Sequence, residues 1–187
     1  MVSNNKISDN LMCARRQLEI AANAGACIAV LPETFSCMGN YDRQSFLQRE
    51  SMGHGIIVNW LKKTAQELNL WIVAGSLPLF RSNDFTIKKP YSSCLVINNQ
   101  GQQVARYDKI HLFDANISDK KSNYQESLDY SAGSCAVLVD TPVGRLGLII
   151  CYDIRFPELY LNLRQGGADI ISIPAAFTQT TGVAHWE

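Results

Sequence analysis

The chain has 187 residues, with lysine plus arginine balanced by aspartate plus glutamate at 17 each. That length suits one domain with a real hydrophobic core, and the even charge leaves no basic stripe for nucleic acid or an anionic membrane to hold. The longest apolar runs, Ala26 to Pro32 and Leu146 to Tyr152, are too short to span a bilayer, and no secretory pattern opens the chain, so a cytoplasmic protein is expected.

Leu11, Ala14, Leu18, Ala21 and Ala22 recur at helical spacing, and Gly25 offers a stop. Cys27 to Leu31 then reads as a buried strand ending at Pro32. Ile56, Ile57, Trp60, Leu61, Ala65 and Leu68 mark a second amphipathic helix, followed by a strand from Leu70 to Ala74 and then Gly75. Helix, strand, helix, strand favours α/β layering. Ser92 to Ile97 and Gln103 to Tyr107 flank the turn cluster Asn98 to Gly101, which suits a β-hairpin. Asp114 to Gly133 is polar and aperiodic and reads as a long loop, of the kind that is often functional. Cys135 to Val139 and Arg145 to Ile150 form another strand pair, Phe156 to Gln165 a short helix closed by Gly166 and Gly167, and Ala168 to Ile173 a last strand. No repeat or linker divides the chain, so residues 1–187 are taken as one domain.

Six cysteines fall at 13, 27, 37, 94, 135 and 151, none in a C-x-x-C pair and none at zinc-finger spacing. No metal and no cofactor is expected. Packing as reduced thiols accounts for at least five of them. Cys151 differs in its place, because it ends the run RLGLII just as Glu33 follows CIAVL-Pro32 and Lys109 follows the strand closing near Tyr107. Ligands gather at the C-terminal edge of the sheet in layered α/β proteins, so these three side chains can build one site. Taken singly, each has an ordinary alternative: a solvated loop glutamate, a surface lysine, a packing cysteine.

The surrounding blocks are Leu31-Pro32-Glu33-Thr34-Phe35, then Lys109-Ile110-His111-Leu112-Phe113-Asp114, then Cys151-Tyr152-Asp153-Ile154-Arg155-Phe156-Pro157-Glu158-Leu159. In that order and spacing they resemble the nitrilase, or carbon–nitrogen hydrolase, superfamily, over nearly the whole chain and including Ala184-His185-Trp186-Glu187. Within it, RFPEL, KIHLFD and AAFTQTTG look most like the small amidases related to deaminated glutathione amidase, with ω-amidases as close relatives. The resemblance implies an α-β-β-α sandwich and a catalytic set of Glu33, Lys109 and Cys151. It also implies a second active-site carboxylate at Glu126, whose plain alternative is a solvated loop acid. Phe177 and Thr181 become pocket residues by the same resemblance, and by physics alone are loop residues. A homodimer through the helix after Cys151 is implied for the full-length domain.

Those residue types suit amide hydrolysis. An amide carbonyl is a poor electrophile and benefits from a covalent thiol nucleophile, but a free cysteine is mostly protonated at neutral pH. Glu33 would take the thiol proton, and Lys109 would favour negative charge on sulfur and then on the carbonyl oxygen. The backbone N–H of Tyr152 is the expected second oxyanion donor. Glu126 is assigned to orienting Lys109 and the substrate or water. Arg155 can pair with a substrate carboxylate or, equally, with Glu158 or Asp153. A cysteine–histidine dyad would have to use His54, His111 or His185, none in the context of that class. His111, two residues from Lys109 and on its side of a strand, suits a supporting role. The expected substrate is a small carboxylate-bearing amide, deaminated glutathione first and 2-oxoglutaramate second. A nitrile hydrolase would share the three residues, although the residues after Cys151 favour an amidase.

Both ends depart from the family pattern. The apolar strand that usually precedes this first segment is absent, and relatives continue past Glu187 through further elements. An incomplete sandwich is therefore expected, with bare sheet edges and, as an alternative reading, a non-catalytic remnant.

Overall fold

The computed structural model describes residues 1–38, 50, 55–81, 89–117, 122–177 and 182–183, with the backbone alone for 116, 117 and 122–124. Leu11, Ala14 and Leu18 lie buried on one face of helix α1 (Ile7–Asn23), as the spacing predicts. Ile57, Val58, Leu61 and Ala65 do the same on α2 (Ile56–Glu67). The first turn of α2 is capped from outside by the buried Glu50, whose carboxylate accepts the N–H groups of Ile57 and Val58 at 2.8 and 2.9 Å.

These helices cover a four-stranded sheet in the order β1-β2-β3-β4, built from β1 (Ile28–Leu31), β2 (Trp71–Leu79), β3 (Tyr91–Ile97) and β4 (Gln103–Asp108). β1 runs parallel to β2, and β2-β3 and β3-β4 are antiparallel. Alternate residues point to opposite faces. Ile72, Ala74, Leu95 and Ile97 pack against the helices, while Val73, Cys94, Val96 and Tyr107 meet Leu146, Leu148 and Ile150 from a second sheet. That sheet comprises β7 (Val137–Thr141), β8 (Gly144–Leu148) and β9 (Ile170–Ser172) in the order β7-β8-β9. Its far face is covered by α3 (Pro157–Gln165) through Ile149, Leu159 and Leu163. Three apolar interfaces thus separate four layers, the α-β-β-α sandwich implied by the motif blocks. β1 and β9 each pair on one side only among the described residues, and Val30 and Ile170 are exposed on them.

Two elements differ from the sequence expectation. β2 does not stop at Gly75 but runs on to Leu79, with an irregularity between Ala74 and Leu77. The expected loop after Asp114 contains a separate hairpin, β5 (Asp114–Ile117) with β6 (Ser122–Gln125), and then a 3-10 turn over Glu126–Leu128. The hairpin pairs with neither large sheet, and its residues, DANI and SNYQ, lack the apolar alternation by which strands are recognised. Among the described residues no helix is long and apolar enough to cross a membrane.

Candidate active site

Glu33 and Lys109 follow β1 and β4, the two outer strands of the first sheet, roughly 14 Å apart at ordinary strand spacing. They meet because the chain leaving β1 crosses over β2. Gly75 makes the crossing possible: a Cβ there would sit 1.8 Å from the Pro32 carbonyl oxygen. Ser76 holds the crossing in place, its hydroxyl oxygen accepting the Thr34 N–H at 3.1 Å. Thr34 itself has φ +53°, costly for a β-branched residue and the kind of strain that collects at functional sites.

Lys109 continues the β4 direction, its N–H donating to the Ser92 carbonyl at 2.9 Å. Its side chain is buried, and Nζ donates to Glu33 Oε1 at 2.9 Å and to Glu126 Oε2 and Oε1 at 2.9 and 3.2 Å. Burial works against the ammonium, but the negative charges of Glu33 and Glu126 outweigh it and hold the Lys109 pKa above its ordinary value. Glu126 reaches this position from the 3-10 turn after β6, with Oε2 also accepting the Phe113 N–H at 2.7 Å. Glu33 Oε2 accepts the Ala176 N–H at 3.0 Å.

Cys151 comes from the other sheet, three residues beyond β8. The expectation that one sheet edge supplies all three residues is therefore corrected: the site straddles the two sheets, with Glu33 and Lys109 from one and Cys151 from the other. Cys151 starts a 3-10 turn (Cys151–Arg155) with φ +45°, a left-handed conformation that turns the chain sharply at the strand exit. The first three N–H groups of such a turn have no acceptor within it. Ile150 donates to Asp153 Oδ2 at 2.9 Å and Cys151 to the Pro174 carbonyl at 2.9 Å. None of the described hydrogen bonds uses the Tyr152 N–H.

The thiol is pushed up to about 12, first by burial and then by the charge of Glu33; Lys109 and the Ala176 N–H pull the other way without prevailing. The expected stabilisation of a thiolate by Lys109 is real but outweighed. At neutral pH Cys151 therefore rests as a thiol.

The remaining expected site residues are more dispersed. Arg155 is exposed at the end of the Cys151 turn and pairs with no described carboxylate. Asp153 is fully buried and takes its hydrogen bonds elsewhere. Phe177 lines an open cavity of about 670 Å³ with Val30, Pro32, Ile173 and Pro174, and none of Glu33, Lys109, Glu126 or Cys151 lines it. Thr181, His54 and His185 lie outside the described residues. His111 stands beyond the end of β4 rather than on it, with Nδ1 2.8 Å from Asp153 Oδ1 and its ring stacked on Phe156. Among the described residues no cluster of histidine, cysteine and carboxylate side chains could hold a metal ion. Sequence reasoning missed the parts played by Gly75, Pro174, Ala176 and Asp153. Of these only Asp153, a charge two residues past Cys151, left a mark in the pattern.

A sequence profile of the carbon–nitrogen hydrolase family matches residues 3–187. The chain is 38% identical over 190 residues to the deaminated glutathione amidase of Yersinia enterocolitica, covering all of this chain and 64% of that protein. It is 37% identical over 189 residues to that of Synechocystis sp., covering 100% of this chain and 68% of the relative. The crystal structure of the Caenorhabditis elegans NitFhit protein superposes with a TM-score of 0.84 at 35% identity, over 100% of this chain and 44% of that one. The chain thus spans about two thirds of the length of these amidase relatives.

Proposed function

The chain belongs to the carbon–nitrogen hydrolase family, and from that premise we propose that it hydrolyses a small carboxylate-bearing amide to acid and ammonia through a thioester on Cys151. The observation that carries this reading is the buried Lys109 ammonium, bonded at 2.9 Å to both Glu33 and Glu126, with the charge of Glu33 also felt by the Cys151 thiol. An ammonium has three N–H bonds. One goes to Glu33 and the others meet the two oxygens of Glu126 at 2.9 and 3.2 Å; the longest of these contacts, as the third, would give way to an oxygen that becomes negative.

As Sγ attacks the carbonyl carbon, its proton passes to Glu33 and the C=O π pair moves onto oxygen. The third Lys109 N–H and the Tyr152 N–H would hold that oxygen. Collapse of the tetrahedral adduct breaks the C–N bond, and the nitrogen takes the proton from Glu33 and leaves as ammonia. Glu33, ionised again, removes a proton from water as the water oxygen attacks the thioester. The second collapse releases the acid, and the sulfur recovers its proton from Glu33. Glu126 takes no part in these transfers and keeps Lys109 aimed.

Deaminated glutathione is the first candidate substrate, supported by the names of the relatives from Yersinia enterocolitica and Synechocystis sp.; 2-oxoglutaramate is the second. Arg155, exposed and without a described ion-pair partner, would take the substrate carboxylate, and Phe177 and Thr181 would shape the pocket. The free state of all six cysteines suits a cytoplasmic setting. Leu161, exposed on α3, supports pairing of two copies through that helix.

The test is mass spectrometry of the purified chain mixed with each amide, with ammonia measured in parallel. An acyl adduct on Cys151 and ammonia release that vanishes in Cys151→Ala are expected. Ammonia release that persists in that variant sinks the nucleophile assignment. A folded chain with neither adduct nor ammonia favours the non-catalytic reading.

A further inference from the structure

Asp153 is 0% exposed and each of its oxygens accepts two hydrogen bonds. Oδ2 accepts from the Tyr107 hydroxyl at 2.7 Å and the Ile150 N–H at 2.9 Å; Oδ1 accepts from the His111 N–H at 3.0 Å and lies 2.8 Å from His111 Nδ1. A buried carboxylate needs such partners wherever it sits. What sets this one apart is where they come from. Tyr107 and His111 stand two residues to either side of Lys109, while Ile150 and Asp153 flank Cys151. One carboxylate therefore ties together the two segments, from different sheets, that carry the cation and the nucleophile.

Two further contacts tighten the same tie. The Tyr107 hydroxyl accepts the Ile110 N–H at 3.3 Å, so it fixes the backbone next to Lys109 as well as the carboxylate. The His111 ring lies parallel to Phe156 with centroids 3.6 Å apart, joining the residue beyond Lys109 to the one that closes the Cys151 turn. Asp153 engages the Ile150 N–H and Pro174 the Cys151 N–H, while the next donor of the turn, on Tyr152, is used by none of the described hydrogen bonds.

We propose that Asp153 is a positioning residue that sets the separation between the Cys151 thiol and the two oxyanion donors, Lys109 Nζ and the Tyr152 N–H. The kinetic part of this inference rests on the amidase reading; the structural part does not. Asp153→Asn puts an NH2 group where one oxygen accepted two donors, so at least one buried donor loses its acceptor. Tyr107→Phe removes a single hydroxyl from the tie and keeps the ring in the core.

The experiment compares wild type with Y107F and D153N by three measurements: acylation of Cys151 by the amide, alkylation of Cys151 by iodoacetamide, and amide hydrogen exchange at Ile150 and His111. Alkylation needs the thiol but no oxyanion donor. Acylation at saturating amide, per folded molecule, is expected to fall about tenfold in Y107F and about a hundredfold in D153N, with half-saturation and alkylation changing less than about threefold. Exchange at Ile150 and His111 should quicken in D153N while that of Ile72 in the core holds. Acylation and alkylation that decline together, in step with lost folded protein, would reduce Asp153 to a structural residue and overturn the proposal. So would unchanged exchange in D153N. A wild type that is alkylated but never acylated sinks the amidase reading instead, and exchange at the two amides then decides alone whether the tie exists.

Discussion

The carbonyl oxygen of Pro32 occupies the space that a side chain on Gly75 would need, 1.8 Å from where its Cβ would be. This contact lets the chain step from the outer strand β1 across β2 and deliver Glu33 to Lys109. Both sides of the clash are backbone, so neither can rotate away. Gly75→Ala is expected to destabilise the fold by about 3 kcal/mol and to remove most amidase activity even in the molecules that stay folded. Chemical denaturation with activity measured per folded molecule checks both halves. An alanine variant of wild-type stability and rate would mean that the crossing has slack.

Lys109 is paired with two carboxylates at once, Glu33 and Glu126, each 2.9 Å from its ammonium. Lys109→Met keeps most of the aliphatic volume and removes the charge. It leaves two acids facing each other in a poorly hydrated site, and loss of one member of a buried ion pair costs about 3–5 kcal/mol. Denaturant titration should show that loss at neutral pH. Glu126→Gln keeps an oxygen for the Phe113 N–H and leaves Lys109 paired with Glu33. It should cost less stability than Lys109→Met while still lowering the turnover rate.

Most of the layering can be read from local pattern. The nearly continuous burial of β2 and β3 and the 3.6-residue faces of α1 and α2 are properties of contiguous residues, and each strand exit named by the motif blocks is a strand exit. The rest depends on contacts between distant segments. Gly75 reads as a strand terminator because nothing near it in sequence says that Pro32 passes above. Asp153 reads as a possible partner for Arg155 because sequence separation favours neighbours, whereas its side-chain partners stand 46 and 42 positions away, at Tyr107 and His111. The hairpin after Asp114 pairs with neither large sheet, and its sequence carries no periodic signature. The joining of two sheets at one site follows from the sandwich, not from any single motif.

The thiol of Cys151 is held by burial and by Glu33 in its protonated form, up to about 12. Iodoacetamide should therefore alkylate Cys151 at a rate that climbs about tenfold per pH unit, without a plateau near 8.5, where an unperturbed thiol levels off. Replacing Glu33 by Gln removes the charge that raises the thiol pKa. The variant should alkylate faster than wild type at pH 8 while hydrolysing amide far more slowly, a reversal that loss of structure does not produce. The linked stability has a definite sign. The folded-state pKa lies above the unfolded one, as it does for Cys94, also pushed up to about 12 by burial. The contribution is whole below about pH 8.5 and declines as the pH rises toward 12. An unfolding midpoint that is flat from pH 8 to 10 would contradict it.

Arg155 is exposed, four residues beyond Cys151, and no described carboxylate pairs with it. Asp153, its nearest acidic neighbour in sequence, is instead buried among Tyr107, Ile150 and His111. If Arg155 receives the carboxylate of the substrate, Arg155→Gln removes a charge-assisted hydrogen bond made outside the reacting bonds. Such bonds contribute about 1.5–3 kcal/mol, so the KM for a carboxylate-bearing amide should rise about tenfold or more with kcat little changed. A neutral amide of the same length should show no difference between the two proteins, and the thermal midpoint should stay where it is. Equal loss on charged and neutral amides would place the arginine in the framework of the Cys151 turn and leave the substrate carboxylate to another group.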